Sequence, residues 1–124
     1  MRKVLIIEDE AIISFGYRLQ IERMGFEVIG VARSSAEAEA LIALERPDLM
    51  IMDVYLKGPK TGLELAQEIH AKDPIPVVFL TASTKPEVVE AIRALKGSQY
   101  LAKPISSDGL SDVLEHFLRQ HAER

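Results

Sequence analysis

Three runs of four consecutive apolar residues, Val4-Leu5-Ile6-Ile7, Leu49-Met50-Ile51-Met52 and Val77-Val78-Phe79-Leu80, constrain this chain more than any other feature. Each is bounded by polar or turn residues and offers no side chain that prefers water. A strand of this kind must be covered on both faces, as in a parallel sheet flanked by helices. The stretches between the runs carry the helical periodicity that such cover needs.

An amphipathic stretch from Ala11 to Met24 places Ile12, Phe15, Leu19 and, less regularly, Met24 on one side, and Gly25 closes it. Phe26 to Val31 reads as a second strand. Ser34 and Glu37 stand at capping-box spacing before a helix that runs to about Arg46, where Pro47 stops it. Thr61 with Glu64 repeats the signal for a helix over Gly62 to Lys72. Thr84, Glu87 and Pro86 open a further helix to about Leu95. Tyr100 to Ala102 is a short fifth strand, and Ser106-Ser107-Asp108 caps a last helix from about Asp108 to His121. Five alternating strand–helix units predict an α/β fold, a doubly wound five-stranded parallel sheet with five helices.

At 124 residues the chain reads as a single domain spanning 1–124. It has no cysteine, which excludes disulfides, thiolate zinc sites and cysteine nucleophiles. A net charge of −4 argues against non-specific contact with nucleic acid or an anionic membrane. No apolar run approaches a membrane span, and the acids of Glu8-Asp9-Glu10 rule out a signal peptide. The expectation is a cytoplasmic, soluble domain. Its charged ending is either a true terminus or the edge of a longer protein.

In an open parallel sheet, ligands bind at the carboxyl ends of the strands. Glu8 and Asp9 follow the first strand, Asp53 the third, Thr81 the fourth and Lys103 the fifth. Any one of these could be a solvated strand end; their convergence on one rim is the informative feature. Clustered carboxylates repel one another unless a cation sits among them. An all-oxygen site suits Mg²⁺, a hard ion. Asp53 is then a candidate carboxylate nucleophile for phosphoryl transfer. Lys103 would neutralise charge on the phosphoryl oxygens, and the Thr81 hydroxyl would donate to one of them.

The segments Val4 to Glu10, Pro47 to Asp53, Gly62 to Leu65, Pro76 to Ala82 and Tyr100 to Pro104, in this order and spacing, resemble the receiver domain of two-component response regulators. The resemblance covers essentially the whole chain. It implies a flavodoxin-like, CheY-like sheet with strand order 2-1-3-4-5. It also implies that Asp53 accepts a phosphoryl group from a histidine kinase or a histidine phosphotransfer protein. Glu8, Asp9, Asp53 and the backbone carbonyl of Tyr55 would hold Mg²⁺. Thr81 and Tyr100 would be the switch residues, Lys103 would pair with the phosphoryl group, and the bond before Pro104 would be cis. The output face would be roughly residues 86–118, with homodimerisation through that face compatible with the family. No nucleic-acid contact by this chain is expected. The domain would catalyse its own phosphorylation and dephosphorylation without being an enzyme that turns over a separate substrate.

Three departures from the family pattern stand out. Glu8 occupies a position where Asp is frequent. Tyr55, two residues after Asp53, is bulky enough to shield an acyl phosphate from water, and Ser83, two after Thr81, is a second position that could tune its lifetime. Lys96-Gly97-Ser98-Gln99 replaces a Gly-Ala-containing turn. Rival readings fit less well. A Mg²⁺-dependent phosphatase would want a second acid at position 55, and a flavodoxin-type binder would want a phosphate-cradling loop where Glu8-Asp9-Glu10 stands. A pseudo-receiver, folded alike but acting through phosphorylation-independent protein binding, stays open as the alternative.

Overall fold

The computed structural model describes residues 2–56, 58–82 and 85–120. The strands are β1 (Lys3–Ile7), β2 (Glu27–Ala32), β3 (Leu49–Asp53), β4 (Val77–Thr81) and β5 (Gln99–Ala102). The helices are α1 (Ala11–Arg23), α2 (Ser35–Leu44), α3 (Gly62–Lys72), α4 (Pro86–Arg93) and α5 (Ser107–Gln120). All neighbouring strands are parallel, in the order β2-β1-β3-β4-β5. This is the doubly wound sheet expected from the alternation of elements.

Alternation along the strands divides the core into two layers. Leu5, Ile7, Met50, Met52, Val77 and Phe79 face one side, where Ala38 of α2, Leu65 and Ala66 of α3 and Ile92 of α4 cover them. Val4, Ile6, Leu49, Ile51, Val78 and Leu80 face the other, under Ile21 of α1 and Leu110, Val113, Leu114 and Phe117 of α5. Every residue of β3 and β4 is buried, which is why those strands tolerate no alternation with polar residues.

Helix starts follow local chemistry. Thr61 and Glu64 form a full capping box, Thr61 Oγ1 accepting from the Glu64 N–H at 3.1 Å and Glu64 Oε1 from the Thr61 N–H at 2.9 Å. Ser34 Oγ accepts from the Glu37 N–H, but the Glu37 carboxylate turns to the Arg33 N–H, so only half of that box forms. Ser106 Oγ caps α5 through the Gly109 N–H at 2.9 Å. Thr84 lies outside the described residues, and α4 starts with Pro86 in its first turn. Gly25 ends α1 with φ +93°, a left-handed conformation that glycine adopts without strain.

One expectation is overturned. The apolar side drawn from Ile12, Phe15 and Leu19 does not face the core; their exposures are 88%, 61% and 38%. Ser14 and Ile21 are the buried residues of α1, with Tyr17 and Met24 packed at the core edge. The helix carries two stripes at helical spacing, and Ile21 with Tyr17 sets its rotation by reaching the β1–β3 surface. The turn Lys96-Gly97-Ser98 is compact, with Gly97 at φ +83° and Ser98 Oγ donating to the carbonyls of Ile92 and Leu95.

Candidate functional site at the carboxyl rim of the sheet

Register places the rim residues. Ile7 pairs with Ala32 and Met52, Asp53 with Leu80, and Thr81 with Ala102. Backbone bonds continue the ladders one step further: Glu8 N–H donates to Ala32 O, Val54 N–H to Leu80 O and Lys103 N–H to Thr81 O, at 2.8–3.1 Å. Glu8, Asp53, Thr81 and Lys103 therefore emerge side by side from rigid strand ends.

Asp53 is 7% exposed. Its Oδ2 accepts from Lys103 Nζ at 2.9 Å and its Oδ1 from the Tyr55 N–H at 3.0 Å. Burial works against the charge on Lys103, but the Asp53 bond and the charges of Asp53 and Glu8 outweigh it and raise its pKa. Lys103 Nζ stands 3.7 Å from Glu8 Oε1, outside hydrogen-bond reach. The Lys103–Pro104 peptide is cis, as the family resemblance implies.

Glu8 is 1% exposed. Its Oε2 accepts from the Glu10 N–H at 3.2 Å, while Oε1 has no hydrogen-bond partner among the described residues. Burial pushes its pKa up to about 7; the Glu10 N–H opposes that, and the Asp9 and Asp53 carboxyls add to it. A buried carboxylate oxygen left bare is costly unless a cation or a proton takes it. Carboxylate oxygens of Glu8, Asp9 and Glu10 all lie within 4.8 Å of one another. This set fits a hard divalent cation: it is all-oxygen, it is acidic, and one oxygen of its most buried member accepts no hydrogen bond among the described residues. Asp53 stands outside that group and faces Lys103 instead.

Thr81 is fully buried at the end of β4. Tyr100, half-buried on β5, packs against the core layer that α4 covers. Tyr55 is 50% exposed beside Asp53. Ser83 lies outside the described residues. Three contributors received no site role from the sequence. Glu10 joins the acidic group. Tyr17 is half-buried, its phenol raised by burial first, with Lys103 opposing and Glu8 and Asp53 adding. Gly62 packs so closely under the strand end that its N–H donates to Val54 O at 2.7 Å.

A five-stranded parallel sheet in this order, with an aspartate buried at its central rim, defines the CheY-like class of α/β domains. Comparison with known proteins carries the assignment further. The family model described as "Response regulator receiver domain" matches residues 4–115. The transcriptional regulatory protein PdtaR of Mycobacterium tuberculosis is 39% identical over 114 residues, covering 92% of this chain and 55% of that protein. The phyllosphere-induced regulator PhyR of Methylorubrum extorquens is 32% identical over 125 residues, covering 98% of this chain and 46% of that protein. Among solved structures, the signal receiver domain of a modulated diguanylate cyclase from Desulfovibrio desulfuricans matches with a TM-score of 0.83 and 30% identity, over 97% of this chain and 95% of that one. The chain belongs to the response regulator receiver domain family, a regulatory family rather than one of enzymes. It spans about half the length of the curated relatives it matches. No helix among the described residues is long and apolar enough to cross a membrane.

Proposed function

We propose that this domain is the phosphoacceptor switch of a two-component phosphorelay, with Asp53 as the acceptor. The observation that carries the reading is the buried Asp53 carboxylate, held between Lys103 and the Tyr55 N–H beside the bare Glu8 oxygen. One carboxylate oxygen of Asp53 attacks the phosphorus of a phosphohistidine on the donor. The oxygen–phosphorus bond forms, the phosphorus–nitrogen bond breaks, and the electron pair leaves on the imidazole. No general base is needed, because the nucleophile is a carboxylate oxygen rather than a hydroxyl. Lys103 follows the charge from the carboxylate to the phosphoryl oxygens, and Thr81 supplies a hydroxyl donor to one of them. Glu8, Asp9 and Asp53, with the Tyr55 carbonyl, would hold Mg²⁺, which supplies neutralisation of the developing negative charge.

The donor histidine must reach Asp53 directly, so the donor protein has to cover the surface around the rim. The Ile12–Phe15–Leu19 stripe supplies an apolar seat there. Ile12, Tyr17 and Gln20 of α1 share a cleft with Lys103, Pro104 and Ile105, which joins the stripe to the site. On the other side, contacts made only to the phosphorylated form draw Thr81 toward the rim and Tyr100 inward, shifting the population of the face spanning 86–118. PdtaR and PhyR are named as regulators, and a regulatory role reached through that face is assigned here too.

The test is intact mass after incubation with acetyl phosphate, with and without Mg²⁺, on the parent and Asp53→Asn. One added phosphoryl group, about +80 Da, that requires Mg²⁺ and is lost in the variant supports the reading. No adduct, together with no binding of beryllofluoride, moves the assignment to a pseudo-receiver that works by protein binding alone.

A further inference from the structure

We infer that Gln20 is a positioning residue for Lys103: its side-chain amide braces the loop between β5 and α5 against α1. The inference rests on reading Lys103 as the partner of the phosphoryl group, and it names what holds that lysine's loop in place. Gln20 Nε2 donates to the Ser107 carbonyl at 2.6 Å and to Ser111 Oγ at 2.9 Å. A carbonyl can only accept, so the amide faces one way and uses both of its N–H groups. The two bonds cross 87 and 91 residues of sequence and join α1 to the first turns of α5.

Their place in the fold gives these bonds a consequence beyond stability. Ile12, Gly16 and Tyr17 on α1 face Lys103, Pro104 and Ile105 across a cleft of about 670 Å³, which Gln20 also lines. Beside Lys103 the loop is thus parted from α1 by open space, and the Gln20 amide reaches from one wall to the other. The Lys103 N–H is held by the Thr81 carbonyl at 2.8 Å, while Pro104 and Ile105 make no backbone–backbone hydrogen bond among the described residues. The loop is anchored at its two ends, on the sheet and on α5, and Gln20 ties the α5 end to α1. Releasing that end lets the start of α5 drift and widens the cleft on the side where Lys103 stands. Lys103 Nζ has to meet Asp53 Oδ2 at 2.9 Å, and a misplacement near 1 Å slows a positioned reaction by about a hundredfold. The same ammonium stands 3.7 Å from Glu8 Oε1, so a defect passed through Lys103 falls on the phosphoryl group and spares the cation.

The experiment compares the parent with Gln20→Leu, alone and combined with Lys103→Met. Phosphorylation by acetyl phosphate is followed by intact mass, and Mg²⁺ affinity by calorimetric titration. Leucine suits the helix and fills much of the same volume but donates nothing. Gln20→Leu is expected to phosphorylate about tenfold more slowly, short of the hundredfold or so of a full 1 Å displacement. Its Mg²⁺ affinity should stay within about twofold of the parent's. In the Lys103→Met background the same substitution should slow the reaction by less than about twofold, since the residue it positions is gone. A Gln20→Leu rate within about twofold of the parent's overturns the inference. So does a fall in Mg²⁺ affinity alongside the rate, or an equal slowing in both backgrounds, since either marks a general loosening of the rim. A parent that takes up no phosphoryl group overturns the phosphoacceptor reading itself, and this inference with it. A melting temperature within about 5 °C of the parent's shows that the comparison is made on folded protein.

Discussion

Replacing Gly62 by alanine strikes the site from beneath, without touching any rim side chain. A Cβ there would stand 1.9 Å from the Asp53 carbonyl oxygen, 3.0 Å from its carbonyl carbon and 3.1 Å from the Val54 carbonyl oxygen. All are backbone atoms, so no rotamer change relieves the overlap. The strand end and the first turn of α3 have to part by about 1 Å or more, an overpacking cost of about 1–3 kcal/mol. The Gly62 N–H to Val54 O bond, now 2.7 Å, stretches with them and adds about 1 kcal/mol. A loss of about 3 kcal/mol lowers the melting temperature by roughly 10 °C in a domain of this size. The Asp53 carbonyl moves with its side chain, and a misplacement near 1 Å slows a positioned reaction by about a hundredfold. Thermal denaturation and the rate of phosphorylation by acetyl phosphate measure the two effects. Gly16→Ala is the control: it sits within α1, where the added Cβ meets nothing within 4 Å beyond the neighbouring backbone of its own helix, so it should stabilise by about 0.5–1 kcal/mol. A Gly62→Ala protein that melts within 2 °C or so of the parent and phosphorylates at a similar rate would refute the reasoning.

Four further outcomes are expected. Phe15→Ser should slow phosphoryl transfer from a protein donor at least tenfold or so, yet leave the acetyl phosphate rate and stability (within about 0.5 kcal/mol) unchanged, since the ring is exposed; equal slowing with both donors would place the defect in the site instead. Tyr55→Asn should shorten the acyl-phosphate lifetime severalfold if the ring shields it, measured by loss of the phosphorylated mass; an unchanged lifetime removes that role. The raised Glu8 pKa means the folded state holds its proton more tightly than the unfolded chain, so metal-free protein loses stability as pH rises from about 4.5 through about 7. The loss is on the order of 2–3 kcal/mol, read as the difference between parent and Glu8→Gln in urea melts with chelator, and Mg²⁺ should restore it. Lys103→Met should reduce phosphorylation far more than Mg²⁺ binding, because the ammonium bonds the reacting carboxylate at 2.9 Å while it stands 3.7 Å from Glu8, outside hydrogen-bond reach.

The strands were legible because burial on both faces leaves an uninterrupted apolar run, and β3 and β4 are buried at every residue. The α3 start was legible because Thr61 and Glu64 satisfy each other locally, with no help from the rest of the fold. The rim followed from the same logic: each polar group stands directly after a strand whose end the sheet aligns. Local pattern was not enough for α1. Its apolar residues fall on two stripes, and only contact with the sheet decides which turns inward. Gly62 and Tyr17 lay beyond reach for a similar reason, since each acts on a strand end far away in sequence. The bidentate Arg46–Asp73 pair, at 2.6 and 2.9 Å between the ends of α2 and α3, likewise has no signature at a separation of 27 residues.

The exposed stripe on α1 also has a calorimetric consequence. Removing apolar surface from water lowers the heat capacity of the system. A donor that covers Ile12, Phe15 and Leu19 must therefore associate with a negative heat-capacity change, and its binding enthalpy must grow more exothermic with warming. Charge neutralisation around Asp53 brings no comparable apolar burial. Titrating the same donor at two temperatures, against parent and Phe15→Ser, would thus separate the energetics of recognition from those of the phosphoryl chemistry before any phosphate has moved.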